Sequence, residues 1–351
     1  MATGWGIARQ LVHVEKKNLL IRRSIRTAAV ATGLPLIAWA LGMPEAIVPL
    51  GVGALFVGIS ESNIHPVRRA RFMLWTTVWL MATSALGFLV ADNPIVVMLV
   101  SALVAAVSGW VGVAGPSVGL VGVLSLVLFT IAVGVPDSMH LSVASVLFVG
   151  LGGVVQIAVF LVLNRSRSRL AGAPPARAAN TLWFRLTHAG DQRDMFVRHA
   201  LGVMIAILVA TAISQFLEVP HQYWIPMTVA WIFKPDLKDT VTRVIERVVG
   251  TMAAIGVAFV WDTYVGSSHG LRLIVAGIGA YLLLAFLTAN YTVATFGVTS
   301  FVLALFAMAG DLYEQTVIFR LLATLAAGAI VIVVIFAARG APPSSRRRAL
   351  G

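Results

Sequence analysis

The most chemically informative residues of this sequence are two arginines, Arg243 and Arg247, which lie four positions apart. Residues with that spacing share one face of an α-helix. A guanidinium group binds a carboxylate through two parallel hydrogen bonds, so two on one face would attract and align an organic anion. Glu246 follows Arg243 by three positions and could pair with it. The alternative is that both arginines reach for lipid phosphates from the cytoplasmic end of their helix.

These arginines belong to a denser pattern, residues 223–251, which read YWIPMTVAWIFKPDLKDTVTRVIERVVGT. Trp224 and Trp231 are seven apart, so they share a helix face on which they would pack or mark the membrane interface. A sharper interpretation is that they line the path of an aromatic substrate. The remaining candidate substrate-binding or pathway residues come from the same pattern: Pro226, Thr228, Lys234, Asp236, Thr240, Gly250 and Thr251.

The composition indicates that the elements carrying this pattern lie in a membrane. The chain is 59% hydrophobic and only 11% charged, whereas a soluble domain averages about 25% charged residues. Twelve apolar segments follow one another, which predicts an all-α integral membrane protein of about twelve short transmembrane helices. They span residues 24–41, 46–59, 72–90, 95–111, 118–133, 141–163, 197–216, 223–233, 244–261, 274–287, 292–308 and 317–338.

The positive charges predict the orientation of these helices. Of the 26 lysines and arginines, all but Arg272 and Arg320 fall on one side of the predicted membrane, whereas Arg272 and Arg320 fall in loops or helix ends on the other. Basic residues concentrate on the cytoplasmic side of membrane proteins, so we expect both termini in the cytoplasm. The same rule accounts for the net charge of +12, and we expect no nucleic-acid partner.

Two halves of similar layout divide the chain. We predict an N-terminal segment with a first six-helix half over residues 1–164, a cytoplasmic linker over 165–195, a second six-helix half over 196–340 and a basic tail over 341–351. In each half the second segment contains a proline and is followed by a basic stretch that leads into the third. Six helices is an even number, so the two repeats would be parallel, related by an axis along the membrane normal.

The pattern in 223–251 resembles the signature of the fusaric acid resistance protein-like (FUSC) family of membrane transporters, which includes bacterial aromatic acid exporters. The dense match covers about thirty residues, and the six-plus-six layout extends it over most of the chain. The first half carries only a degraded copy, without a tryptophan before Pro49. Larger relatives have a sizeable cytoplasmic domain between the halves, where this sequence has only the linker. The resemblance implies efflux of aromatic or other small organic acids across the bacterial cytoplasmic membrane.

Other functions find little support in the residues. The run Gly115-Pro116-Ser117-Val118-Gly119 matches the G-x-S-x-G pattern of hydrolases, but that pattern needs a strand-to-helix turn, and close helix packing explains the glycines better. There is no P-loop, no H-E-x-x-H motif and no cysteine. We therefore expect no enzyme activity, no cofactor and no metal site. A passive organic-anion channel and a non-transporting membrane scaffold remain the alternatives. Besides the anion and the lipid bilayer, a homo-oligomeric partner stays open.

Overall fold

The computed structural model describes residues 11, 13–61, 66–134, 139–165, 193–217, 221, 223–234, 237–264, 268–309 and 313–340. Within them the chain forms twelve α-helices, two short 3-10 helices and no strand. The α-helices are α1 Ile21–Ala40, α2 Pro44–Ile59, α3 Pro66–Val90, α4 Pro94–Trp110, α5 Pro116–Gly134, α6 Met139–Leu163, α7 Arg193–Leu217, α8 Trp224–Ile232, α9 Leu237–Tyr264, α10 His269–Phe286, α11 Tyr291–Ala309 and α12 Tyr313–Gly340.

Proline and short polar side chains set where several of these helices begin. Proline is the first residue of α2, α3, α4 and α5, the position where its missing N–H costs no hydrogen bond. Asn93 caps α4, because its Oδ1 accepts hydrogen bonds from the backbone N–H groups of Ile95 and Val96 at 3.0 and 3.2 Å. Each of the twelve predicted segments overlaps one helix, so the prediction of an all-α protein is confirmed.

Eight of the twelve helices are long and apolar enough to cross a membrane, namely α3 to α7 and α10 to α12. The helix α2, with 16 residues, is shorter, and α8 has only nine, well below the roughly 20 that span a bilayer core. The helices α1 and α9 are longer but carry charged residues in their first turns, Arg22 and Arg23 in α1 and Lys238 and Asp239 in α9. Outward-facing residues such as Trp75, Leu89 and Phe216 are large and apolar, as expected of a surface that contacts lipid.

By chain order the helices form a first set, α1 to α6, and a second set, α7 to α12, and they pack both within and between these sets. In the first set α2 packs against α1 and α6, α3 against α5 and α6, and α4 against α5. In the second set α8 packs against α7 and α12, α9 against α11 and α12, and α10 against α11. The two sets meet where α1 packs on α10, α4 on α7, α2 on α11 and α5 on α8. The short helix α8 is therefore enclosed by helices from both sets.

Glycines permit the closest of these contacts. A Cβ on Gly279 of α10 would lie 2.7 Å from the carbonyl oxygen of Gly297 in α11, and one on Gly297 would lie 2.5 Å from the backbone nitrogen of Leu283. The glycines near Ser117 act in the same way. Gly115 has a φ of +120° and ends a 3-10 turn, after which α5 starts at Pro116. The G-x-S-x-G pattern thus lies at a helix–helix junction and not at a strand-to-helix turn.

Candidate anion-binding site

The short helix α8 places three of the predicted site residues in the protein interior. All nine of its residues are buried, including Trp224, Pro226 and Thr228. Pro226 lies in the first turn, where a backbone N–H has no partner in the helix, so the proline does not break it. The helix ends at Ile232, and Phe233, which follows it, has an extended ψ of 119°. The neighbouring predicted residue Asp236 lies outside the described residues.

The helix α9 carries Arg243, Arg247 and Thr251 at intervals of four, on one face as the sequence predicts. Their surroundings differ along that face. Arg243 is partly exposed and lies over the ring of Tyr291, with 3.9 Å between its Cζ and the ring centroid. Arg247 is only 2% exposed, and Thr251 is fully buried. The face therefore leads from the protein surface into its core.

Glu246 does not hold Arg243 in the way the sequence suggested. Among the described residues no ion pair within 4 Å joins the two side chains, and the ring of Tyr291 positions the Arg243 guanidinium instead. The reason is geometric: α11 packs against α9 along this face and offers an aromatic ring directly under the arginine. Glu246 instead lines a cleft beside Arg243.

Arg320 of α12 is the most unusual residue of the site. We expected it in a loop or at a helix end, but the structure places it inside α12 with no exposed surface. Its Cζ lies 5.1 Å from the ring centroid of Trp224, and Arg247 is close enough for the two charges to repel each other. The Nε and both Nη atoms of Arg320, and the Nε of Arg247, have no hydrogen-bond partner among the described residues. Two buried cations thus share a region without a described counter-ion.

Sequence reasoning missed Arg320 although a signal was present. The residue lies in the first turn of the predicted apolar segment 317–338. An arginine within an apolar segment is costly and usually functional. The sequence-based prediction assigned Arg320 to a loop or a helix end and therefore did not treat it as a buried charge. Its position beside Trp224 and Arg247 follows only from the packing of α12 against α8 and α9.

Aromatic rings close one side of Trp224. The imidazole of His221 stacks on the indole with 4.5 Å between centroids, and Phe306 meets both rings edge-on at 5.3 and 6.2 Å. His221 holds this position with a φ of +52°, a left-handed conformation that costs a non-glycine residue energy. Because both tryptophans of α8 are buried, at 0% and 7% exposure for Trp224 and Trp231, they form no interfacial belt.

Four buried threonines around the arginines leave their hydroxyl groups without a described partner: Thr228, Thr251, Thr295 and Thr299. Threonine in a helix usually donates to the carbonyl one turn earlier. Thr77 does so to Met73 at 2.9 Å and Thr324 to Arg320 at 2.9 Å, and others elsewhere in the protein do the same. The four threonines at the site differ from Thr77 and Thr324 in this respect.

A cleft of about 430 Å³ opens where the α9 face reaches the protein surface. Its lining includes Lys234, Asp239, Arg243, Glu246 and Tyr291. The backbone of Lys234 is fixed by Thr240, whose hydroxyl donates to the Lys234 carbonyl oxygen at 3.1 Å and accepts from its N–H at 3.1 Å. Burial, followed by the nearby charge of Arg243, lowers the pKa of the Lys234 ammonium to about 8.

The N-terminal segment forms one wall of this cleft through His13 and Glu15. Asn290, in the turn before α11, donates from Nδ2 to the carbonyl oxygens of Leu11 and His13 at 3.0 and 2.9 Å. The backbone N–H of Glu15 donates to the carbonyl oxygen of Ala289 at 3.1 Å. These bonds fix the segment against the turn between α10 and α11.

Gly250, the last glycine of the predicted motif, sets the distance between α9 and α11. A Cβ at this position would lie 2.5 Å from the carbonyl oxygen of Thr292 and 2.8 Å from the Cβ of Thr295. Both distances are shorter than a real side chain tolerates, so only glycine allows this contact.

A second arginine cluster, in the first set of helices, contains a carboxylate that pairs with each of its three arginines. Glu61 is 5% exposed and forms ion pairs with Arg23 at 3.7 Å, with Arg69 at 2.9 Å and with Arg26. Arg23 also donates to the carbonyl oxygens of Gly58 and Ile59 at the end of α2. The contrast with Arg247 and Arg320 is clear, because this cluster contains its own carboxylate.

Comparison with known proteins agrees with the predicted resemblance. The family model described as "Fusaric acid resistance protein-like" matches residues 197–334, which include α8, α9, α11 and Arg320. The second half of the chain is therefore similar to this family. The match contains every described residue of the candidate site on these helices, and the sequence-based assignment is confirmed.

The curated relatives are larger than this chain. It is 30% identical over 169 residues to Inner membrane protein YccS of Escherichia coli, covering 48% of this chain and 23% of that protein. It is 29% identical to uncharacterized proteins of Synechocystis and Haemophilus influenzae, covering 38% of this chain and 18% of each. The chain therefore spans less than a quarter of the length of these relatives. No solved structure matches it. Together with the eight apolar helices, the kinship with YccS identifies a multi-pass membrane protein.

Proposed function

We propose that this protein transports small organic anions across the bacterial cytoplasmic membrane, and that Arg247 and Arg320 bind the anion inside the protein. One observation carries the proposal: two fully buried guanidinium groups lie together without a described carboxylate to neutralise them. A buried charge without a partner costs several kcal/mol, roughly, even after the protein relaxes. An anionic ligand lowers that cost when it binds. Because no described carboxylate side chain occupies the place permanently, a mobile anion can bind there and leave again.

The aromatic surroundings support an aromatic acid as the substrate. Trp224 lies beneath Arg320, and Phe306 and His221 contact its ring. A carboxylate held by the arginines would place an attached ring among these side chains, where offset or edge-on aromatic contacts contribute about 0.5–1.5 kcal/mol each. The family resemblance supplies the direction, which we propose to be export from the cytoplasm.

The cleft provides the cytoplasmic mouth in this proposal. Lys234 and Arg243 attract the anion, Thr240 holds the backbone of Lys234 in place, and Gly250 keeps α9 close to α11 beside Thr251. Glu246 and the residue at position 236 balance part of that charge. Both termini lie in the cytoplasm, since the basic residues around α1, α3 and α9 would then face inward.

We also propose that the two sets of helices are parallel repeats. Each packing pair named above for the first set has a counterpart in the second set when six is added to both helix numbers. The contacts between the sets correspond as well, α1–α10 with α7–α4 and α2–α11 with α8–α5. Such a correspondence supports an axis along the membrane normal.

Flux into proteoliposomes tests the function. Purified protein is reconstituted and uptake of radiolabelled benzoate, an aromatic monocarboxylate, is measured beside acetate and a neutral amide. Wild-type protein should carry benzoate, and Arg247→Gln or Arg320→Gln should lower the rate per inserted molecule by about tenfold or more, since a hydrogen bond to a charged group contributes about 1.5–3 kcal/mol. The exposed Arg71, changed to Gln, is the matched control.

Two outcomes would change the conclusion. If the rate of anion flux does not change when a proton gradient is imposed, the protein is a passive channel. An absence of flux for every anion in a wider panel would leave a membrane scaffold and remove the proposal.

A further inference from the structure

Two rows of polar side chains face each other between α9 and α11. On α9 the row is Arg243, Arg247 and Thr251; on α11 it is Tyr291, Thr295 and Thr299, also at intervals of four. Eight residues of α-helix are about 12 Å long. The contact of Arg243 with Tyr291, and the closeness of Thr295 to Gly250, show that the two rows meet.

The rows connect the cleft with the buried region of Arg247 and Arg320. Their outer ends, Arg243 and Tyr291, line the cleft. Their inner parts reach the buried region of Arg247 and Arg320.

The hydroxyl groups along the rows are available to a ligand. Those of Thr251, Thr295, Thr299 and Tyr291 are buried and have no partner among the described residues. Buried hydroxyl groups without partners are costly, so native proteins satisfy nearly all of them with protein groups or water. An anion that moves inward loses water, and hydroxyl donors along its path replace those lost hydrogen bonds.

We infer that the anion travels between the cleft and the buried arginines along the α9–α11 seam, within the second set of helices, and that Thr251, Thr295 and Thr299 line this path. The inference rests on the proposed function for the identity of the traveller, an organic anion. It places the path inside the second set and not between the two sets. Neither the sequence motif nor the family match assigns a role to Thr295 or Thr299.

Thiol labelling tests the path without relying on transport, and the absence of native cysteine makes the background clean. Single variants Thr295→Cys and Thr299→Cys are exposed, in inside-out membrane vesicles, to two methanethiosulfonates of similar size, one with a sulfonate and one with a trimethylammonium group. Thr77→Cys and Thr130→Cys are the matched controls, because both threonines are buried but bond to their own helix.

We expect both path variants to react about tenfold faster than the controls, and faster with the sulfonate than with the ammonium reagent, because opposite charges attract in a region of low dielectric constant. Adding Arg247→Gln should remove the preference for the sulfonate. Rates equal to those of the controls, for both variants, would overturn the path.

A second pair of variants guards against misfolding. Thr295→Ser keeps the hydroxyl group, whereas Thr295→Val keeps the shape and loses it. Anion flux should fall several-fold in the valine variant and stay near wild type in the serine variant; equal flux in both would contradict the role of the hydroxyl group. If Thr295→Cys and Thr299→Cys are labelled but the protein carries no anion, the proposed function is wrong and the path stands. If the protein carries anions but neither variant is labelled faster than the controls, the path is wrong and the function stands.

Discussion

The guanidinium group of Arg320 lies over the indole of Trp224, with 5.1 Å between Cζ and the ring centroid, although the two residues are almost a hundred positions apart. A cation–π contact of this kind contributes roughly 2 kcal/mol when it is shielded from water. That is less than the cost of burying an unpaired charge. The contact therefore does not compensate for the burial of Arg320, and its role is to hold the guanidinium group where an anion can bind it.

Replacing Arg320 by methionine should stabilise the protein in the absence of substrate. Methionine is long enough to pack on Trp224 and brings no charge into the interior. We expect the free energy of unfolding to rise by on the order of 1–4 kcal/mol, while anion flux is lost. Thermal unfolding in detergent measures the first effect and proteoliposome flux the second. A lower midpoint for Arg320→Met, beside an unchanged one for the exposed control Arg71→Met, would make Arg320 a structural residue.

Gly250 should not tolerate alanine. The added Cβ would clash with the backbone of Thr292, so α9 and α11 must separate, at a cost of about 1–3 kcal/mol. Gly256 of the same helix has no atom within 4 Å of an added Cβ, and Gly256→Ala should be neutral or slightly stabilising. Comparing the thermal midpoints of the two variants checks the prediction. Equal midpoints would show that the α9–α11 contact is looser than described.

The charge of Lys234 should make the cleft sensitive to cytoplasmic pH. Its pKa is lowered to about 8, so the ammonium is charged below that pH and becomes neutral as the pH rises through it. The neighbouring groups of the cleft are His13, Glu15, Asp239, Arg243 and Glu246.

Flux of a fully ionised anion should therefore fall between pH 7 and 9. Lys234→Arg should keep the low-pH rate throughout, because arginine stays charged, and Lys234→Met should show the high-pH rate at every pH. A profile that is the same in all three proteins would assign the pH dependence to another group.

Glu61 should matter for stability and not for substrate binding. Its removal leaves three arginines without their carboxylate, and breaking a buried ion pair costs about 3 kcal/mol or more. We expect Glu61→Gln to lower the unfolding midpoint and the amount of inserted protein. The control is Glu45→Gln, since Glu45 is exposed in the first turn of α2, where a charge contributes less than about 1 kcal/mol. A normal midpoint for Glu61→Gln would refute the structural role.

Single cysteines should report the orientation of the chain. A cysteine at position 92, in the turn before α4, should react with an impermeant thiol reagent added to intact cells. A cysteine at position 345 should react only after the membrane is opened, because we place both termini in the cytoplasm. Labelling of position 345 in intact cells would contradict that orientation.

The sequence alone determined the helical class, the membrane setting and the shared face of Arg243 and Arg247. These features depend on composition and on spacing within one helix, which are local properties. Local spacing also placed Trp224, Thr228 and Gly250 in the candidate site. It could not show that Arg243 rests on Tyr291 instead of pairing with Glu246, because that contact joins α9 to α11.

Only the tertiary structure brought Arg320 to Trp224 and gave Glu61 its three arginines. Both facts depend on helices that are distant in sequence packing side by side, and no spacing rule within a helix reports which neighbour a side chain meets. The same packing explains how α8 can be so short. Helices of both sets enclose it, so the polar backbone groups at its ends are buried in protein and are not exposed to lipid. The motif thus indicated which segment carries the site, and the fold decided which of its charges have no described partner.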